Sequence, residues 1–146
     1  MVNISAKPDT QRVAIARGRV QLTPATLDLI LSGSVPKGDV FAAARLAGIM
    51  GAKKTSELIP LCHPLSLTHL SVELSGRVEN GTGLVEITAK AETTGKTGVE
   101  MEALTAVAVS ALTIYDMLKA ADRGMRLEAI RLVKKKGGKS GTIELE

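Results

Sequence analysis

Aromatic residues are almost absent from this sequence of 146 residues, which has one Phe, one Tyr and no Trp. The core must therefore be built from Ala, Val, Leu, Ile and Met, and small apolar side chains each bury little area. A core of this kind often gains stability from contacts between subunits, so we expect an oligomer. The shortage also removes the stacking side chains on which single-stranded nucleic acids are bound.

Cysteine and long apolar runs are scarce as well. The single cysteine, Cys62, cannot form an internal disulfide and is typical of a reducing cytoplasm. No apolar run approaches the roughly 20 residues that cross a bilayer, and residues 1–7 lack the apolar stretch of a signal peptide. One cysteine and two histidines give no zinc signature. We therefore expect a cytoplasmic protein with no membrane partner and no metal.

What the sequence does contain is enough apolar residues for one domain and an excess of positive charge. Hydrophobic residues make up 45% of the chain, and the formal net charge is +4. A basic chain favours an anionic partner. Phosphorylated small molecules, nucleic acids and anionic membranes all qualify at this point.

Residue spacing predicts a single α+β domain, residues 1–146, with an antiparallel sheet covered by helices on one face. Thr23-Pro24 and Asp39 are typical helix starts, and Glu79-Asn80-Gly81 is typical of a hairpin turn. The predicted helices cover about 24–33, 39–57 and 98–120, and the predicted strands 12–22, 70–74, 85–91, 125–133 and 142–145.

The apolar segment Ile59–Leu65 is bracketed by two prolines, so it is neither regular helix nor central strand. A loop that prolines stiffen at both ends would hold Cys62 and His63 in fixed positions. Because these two residues are adjacent, their side chains diverge and do not form a nucleophile–base pair. We interpret Cys62 as a small apolar filler and His63 as a candidate acid/base or phosphate ligand.

The third predicted helix carries a polar stripe with Glu102, Thr105 and Asp116 on one side. A solvated face and a functional face explain it equally well. Glu102 and Asp116 are fourteen residues apart, about 21 Å at roughly 1.5 Å per residue, which is too far for a carboxylate dyad. One reaction could use both only with a long substrate or a second subunit. Asp116 and Lys119 form either a surface ion pair or a lysine held for proton transfer.

Two glycine-lysine triplets, Gly95-Lys96-Thr97 and Gly138-Lys139-Ser140, lack the upstream glycine of a P-loop. The first still places backbone N–H groups at the start of a helix, where an anion binds readily. The segment Lys134–Gly141 is predicted to be a flexible basic loop that wraps a phosphate chain. Three consecutive lysines are equally typical of a solubilising surface run.

Five segments together resemble the cyclic pyranopterin monophosphate synthase family, the accessory protein C family of molybdenum cofactor biosynthesis. They are Lys37–Val40, Lys53–Thr55, Leu58–Leu65, Gly95–Ala106 and Gly137–Gly141. The resemblance implies a ferredoxin-like fold and a lyase that converts a cyclised dihydro-GTP into cyclic pyranopterin monophosphate with loss of diphosphate. It also implies a homohexamer, a trimer of dimers, with sites between subunits. No cofactor is implied beyond Mg²⁺ that could accompany the triphosphate.

The same resemblance assigns roles to residues. It implies that Asp116 is the catalytic acid/base with Lys119 beside it. The residues that it implies contact the substrate or its triphosphate are Leu61, Cys62, His63, Glu100, Met101, Glu102, Lys37, Lys135 and Lys139. Two other classes stay open: a basic nucleic-acid-binding module, and a non-catalytic accessory subunit of a larger complex.

Overall fold

The computed structural model describes residues 1–146. Its elements are β1 (Thr10–Leu22), α1 (Pro24–Leu31), α2 (Val40–Lys53), α3 (Thr55–Leu58), β2 (His69–Glu79), β3 (Thr82–Gly95), α4 (Glu100–Leu118), β4 (Arg126–Lys136) and β5 (Ile143–Glu144). The predicted helix starts are confirmed, because the side chains of Thr23 and Asp39 accept hydrogen bonds from the backbone N–H of Thr26 and Ala42.

The five strands form one antiparallel sheet in the order β2-β3-β1-β4-β5. With helices between β1 and β2 and between β3 and β4, this is the ferredoxin-like arrangement with one short strand added at the edge. Residues Asn80 and Gly81, with φ of 50° and 76°, make the predicted turn between β2 and β3. The α+β fold with a ferredoxin-like sheet is therefore confirmed.

Small residues on the inner face of the sheet let α4 lie close against the strands. Ala14, Ala16, Ala89 and Ala91 are fully buried there, and no aromatic residue belongs to the fully buried core. At Gly18 of β1 a Cβ atom would lie 2.6 Å from Cγ1 of Val107, so even alanine would collide with α4. The prediction of a core without large rings is confirmed.

Helix α4 is long and apolar enough to cross a membrane by length and composition alone. The expectation that no segment approaches that limit was therefore too strict for this helix. Its place in the fold explains its apolar character, because α4 packs on β1, β3 and β4 and against α2. Helices buried in a protein core can be as long and as apolar as a membrane-spanning helix.

Two predicted boundaries were wrong. The helix predicted over 39–57 is two helices, because the backbone of Lys54 leaves helical geometry between α2 and α3. The lysine run is not a flexible loop. Lys134, Lys135 and Lys136 pair with residues 15, 14 and 13 of β1, so β4 continues through the whole run. The pairing register could not be read from composition, and lysine-rich sequence resembles a loop.

Helices α2 and α4 cross where α2 has Gly48 and Gly51. A Cβ atom at Gly48 would overlap Oγ of Ser110 and lie 2.8 Å from the carbonyl oxygen of Ala106. The Ser110 hydroxyl also donates a 2.9 Å hydrogen bond to the carbonyl oxygen of Ala44. The two backbones are therefore held closer than any side chain at Gly48 would permit.

We expect Gly48→Ala to lower the free energy of unfolding by about 1–2 kcal/mol. Overpacking costs roughly 1–3 kcal/mol, and the better helix propensity of alanine offsets only up to about 1 kcal/mol of it. Urea unfolding of the two proteins measures the difference. If packing at the crossing were loose, propensity alone would act and the variant would instead be more stable.

Candidate functional site

A cavity of about 350 Å³ lies at the amino end of α4. Its wall is made by the segment after α3, by the turn between β3 and α4, and by the first residues of α4. The lining residues are Leu61, Cys62, His63, Leu65, Thr97, Gly98, Glu100, Met101 and Glu102. Six residues proposed from the sequence to bind substrate, Leu61, Cys62, His63, Glu100, Met101 and Glu102, thus lie around one cavity.

The segment 59–67, called the proline loop below, forms one side of this cavity. The backbone N–H of Cys62 donates to the carbonyl oxygen of Ile59, while Leu65 and Leu67 pack against the core. Leu61 points outward and is 71% exposed. Burial raises the pKa of the Cys62 thiol, and the nearby Glu102 carboxylate raises it further. A thiol with a raised pKa is a poor nucleophile at neutral pH.

Glu102 is a buried carboxylate that borders the cavity. Glu102 is only 4% exposed, and no cationic side chain lies within 4.0 Å of its carboxylate. Burial raises its pKa, and the charge of Glu100 raises it further, while a hydrogen bond from its own backbone acts in the opposite direction. The solvated-face interpretation of the stripe is therefore wrong at Glu102 and also at the buried Thr105. Buried carboxyl groups with perturbed pKa values often mark functional sites.

Two of the proposed phosphate-binding lysines, Lys135 and Lys139, have different environments: the first is on β4 and the second is in the turn that follows it. Lys135 stands opposite Ala14 on the inner face and forms a 3.1 Å ion pair with Glu100, a residue of the cavity wall. Lys139 is exposed in the turn after β4, where Gly137, Gly138 and Gly141 all have positive φ. The Lys139 side chain has no ion pair with any carboxylate of the chain.

Arg12 is a residue that we did not predict at the site. It is 9% exposed, its Nε atom donates to the carbonyl oxygen of Gly95 at 3.2 Å, and no carboxylate pairs with it. A Cβ atom at Gly138 would overlap its guanidinium group. Arg12 therefore lies between the two glycine-lysine turns. The sequence could have indicated this residue, because Arg12 is on the same face of the predicted strand as Ala14 and Ala16. Arginine is rarely buried without a partner, so an inward-facing arginine suggests a binding role.

The proposed catalytic residues occupy the opposite end of α4. Asp116 accepts hydrogen bonds from Nζ of Lys119 at 2.7 Å and from Nζ of Lys37 at 2.8 Å, and Lys37 also bonds to the Asp116 carbonyl oxygen. The hydrogen bonds from Lys119 and then Lys37 lower the pKa of Asp116 to about 2. The pKa of Lys119 is raised in return by Asp116. All three side chains are exposed.

The structure therefore divides the predicted site in two. Glu102 and Asp116 are separated by the length of α4, about 21 Å at roughly 1.5 Å per residue. The cavity group contains Lys135 as well as the six lining residues, the second group contains Lys37, Asp116 and Lys119, and Lys139 stands alone. No three His, Cys, Asp or Glu side chains lie close enough together to hold a metal ion.

Comparison with known proteins gives a single answer. The sequence matches the MoaC family over residues 1–138. It is 60% identical, over the whole chain and 87% of the relative, to the cyclic pyranopterin monophosphate synthase of Thermomicrobium roseum. The synthase of the same name from Roseiflexus sp. is 60% identical over 97% of the chain and 88% of the relative. That of Pelotomaculum thermopropionicum is 60% identical over 99% and 84%.

We expect Glu102→Gln to raise the free energy of unfolding at pH 7 by about 1 kcal/mol, because the amide removes a buried charge that has no cation. The sign follows from the raised pKa. The folded protein binds the Glu102 proton more tightly than the unfolded chain does. The loss of stability caused by the buried charge is therefore complete above the pKa of the folded protein and disappears below the pKa of the unfolded chain, about 4.3.

Urea unfolding between pH 4 and pH 8 therefore gives a stability advantage for Glu102→Gln that shrinks as the pH falls. Glu100→Gln is the matched control, because the Glu100 carboxylate has Lys135 as its partner and its removal should bring no gain. An equal effect of both substitutions at all pH values would contradict the assignment of a penalised charge to Glu102.

Proposed function

Because this chain belongs to the MoaC family, we propose that it is an enzyme of molybdenum cofactor biosynthesis that forms cyclic pyranopterin monophosphate. The substrate is a cyclised dihydro-GTP, and diphosphate is released. One observation carries the proposal at the level of the site: the cavity at the amino end of α4 brings the buried Glu102 carboxylate together with His63, and Lys135 pairs with Glu100 of its wall. The reaction makes it a lyase.

The cavity has groups suited to the proton transfers of such a rearrangement. Opening a purine-derived ring and rebuilding it as a pterin moves several protons, and efficient acid/base groups have pKa values near the working pH. Burial moves Glu102 in that direction. His63, on the proline loop, lines the same cavity, and an imidazole can both donate and accept a proton. Leu61 and Met101 supply apolar surface for a planar ring.

Cations for the triphosphate are available at both ends of α4. Lys135 pairs with Glu100 of the cavity wall, Arg12 donates to the Gly95 carbonyl oxygen at the end of β3, and Lys139 is in the glycine turn after β4. Developing negative charge on a diphosphate leaving group is stabilised by such preorganised cations. Mg²⁺ bound with the triphosphate would act in the same way and belongs to the proposal.

Asp116 is proposed to hold two ammonium groups in place in the free chain. With a pKa of about 2, its carboxylate is ionised throughout the neutral range and is a weak proton acceptor. Lys37 and Lys119 outnumber it, so the group carries one net positive charge. A phosphate that drew either lysine away would remove the hydrogen bond that lowers the Asp116 pKa, and the carboxyl would then become a better acid/base.

We propose further that a complete site needs a second copy of the chain. The cavity group and the Asp116 group are too far apart along α4 to act on one small molecule. Exposed leucines at positions 46, 61 and 112 leave apolar surface for contacts between copies. A homohexamer built as a trimer of dimers, located in the cytoplasm, is the assembly we propose.

The nucleic-acid-binding alternative has less support. It rested on the basic charge of the chain, but several cationic side chains on the outer face of the sheet already form ion pairs with carboxylates of the same chain. Arg19 pairs with Glu128 at 2.8 Å, Lys90 with Glu92 at 2.5 Å and Arg77 with Glu86 at 3.1 Å. A phosphate backbone would have to compete with these carboxylates for the same cations.

We expect Asp116→Asn to abolish turnover while the fold and stability stay close to wild type, since the side chain is exposed. The assay incubates the purified protein with the cyclised dihydro-GTP and detects pterin product and diphosphate. Asp28→Asn, another exposed aspartate on a helix, is the control and should retain wild-type activity. Full activity of Asp116→Asn would remove the catalytic role of Asp116, and an inactive wild type would favour the non-catalytic accessory role over the proposed function.

We expect two inactive variants to complement each other if sites are shared between copies. Glu102→Gln damages one half of a site and Asp116→Asn the other. When equal amounts mix at random, about a quarter of the shared sites combine an intact Glu102 half from one variant with an intact Asp116 half from the other. The variants are mixed after dissociation in mild denaturant and assayed after refolding. Sites formed within single chains would give no recovery above the separate variants.

A further inference from the structure

Thr93, a buried residue, connects the sheet to the proline loop through one hydrogen bond. Its hydroxyl donates to the carbonyl oxygen of Ser66 at 2.6 Å, and the residue is 1% exposed. It occupies an inward position near the end of β3, directly opposite Arg12 of β1. A hydroxyl at this position has no access to water, so the Ser66 carbonyl is the partner that satisfies it.

The proline loop has one other hydrogen bond to the rest of the protein, from the Ile59 N–H at its start to the Thr55 carbonyl oxygen of α3. Cys62 N–H bonds to Ile59 within the loop itself, and the backbone N–H of Thr68 bonds to the Glu92 carbonyl oxygen where β2 begins. Between these points, over residues 63–67, the Thr93–Ser66 bond is the only hydrogen bond. The remaining restraint is the packing of Leu65 and Leu67 on the core and the two prolines.

Apolar packing alone does not fix a loop in one register. Packing is non-directional, whereas a short hydrogen bond sets both the position and the orientation of the carbonyl that accepts it. Ser66 is three residues from His63 and four from Cys62, so a displacement at Ser66 is carried to both side chains. Displacements of about 1 Å in a positioning element can cost about a hundredfold in rate.

We propose that Thr93 is a positioning residue: its hydroxyl holds the proline loop so that His63 and Cys62 line the cavity at the amino end of α4. This role rests on the proposed function for its catalytic consequence. The structural part of it concerns the loop alone. Thr93 does not line the cavity and is assigned no contact with substrate.

The kinetic test compares Thr93→Val, which keeps the shape of threonine and removes the hydroxyl, with Thr93→Ser, which keeps the hydroxyl. We expect Thr93→Val to lower kcat by about tenfold, the factor that about 1.4 kcal/mol of barrier represents, with a smaller change in KM. Thr93→Ser should restore wild-type kcat. Thr88→Val, on the same strand but the outer face, is the matched control and should change neither constant.

Cys62 supplies a second measurement that does not depend on activity. As the single cysteine of the chain, it reports the freedom of the proline loop through its rate of reaction with iodoacetamide at pH 8. We expect the rate to rise at least threefold in Thr93→Val, relative to wild type, and to be unchanged in Thr93→Ser and Thr88→Val. Should Thr93→Val fail to fold, Thr93→Ala removes the same hydroxyl without a branched replacement and gives the same comparison.

The outcomes separate this proposal from the proposed function. Faster alkylation in Thr93→Val with an inactive wild type would keep the positioning role and remove the enzyme assignment. Equal alkylation rates and equal kcat in Thr93→Val and wild type would overturn the positioning role while leaving the enzyme assignment intact. A loss of kcat that Thr93→Ser does not restore would also overturn it, because the hydroxyl would not be the cause.

Discussion

The close approach of α4 to the sheet and to α2 is the constraint on which the rest of the structure depends. Alanines fill the inner face of β1 and β3, and glycines stand where α4 contacts β1 and α2. With so few large side chains, the core gains its stability from many short contacts instead of a few bulky ones. This packing also fixes where α4 begins, and therefore where the cavity lies and which carboxylates are taken out of water.

One helix consequently holds two carboxylates in opposite electrostatic states. Glu102, in the first turn, has the helix dipole in favour of its charge, yet burial dominates and raises its pKa. Asp116, in the last turn, has the dipole against its charge, yet two lysines dominate and lower its pKa to about 2. The local surroundings outweigh the dipole at both ends. Pairs of acids whose pKa values are driven apart in this way are common where acid and base roles are divided.

Local features were predictable from the sequence, and distant contacts were not. The caps at Thr23 and Asp39 and the turn at Asn80-Gly81 depend on neighbouring residues, so the residue types alone indicated them. The meeting of the proline loop with the start of α4 depends on how α3 and β3 pack, and only the family resemblance indicated it. The inward position of Lys135 follows from strand register, and the parts played by Arg12 and Thr93 follow from cross-strand pairing, which composition does not show.

The separation of the two groups along α4 acquires a thermodynamic meaning if two copies share a site. A neighbour's Lys37 and Lys119 would then approach Glu102, and positive charge nearby favours the ionised carboxylate. The burial that raises the Glu102 pKa in one chain would be partly offset on assembly, so assembly and loss of the Glu102 proton would favour each other. The stability gain of Glu102→Gln would then be smaller in the assembled protein than in a separated chain. The uncompensated charge at the amino end of α4 and the excess positive charge at its carboxyl end are then two halves of one electrostatic balance. If copies share a site, that balance closes between them, which is a physical argument for the proposed arrangement.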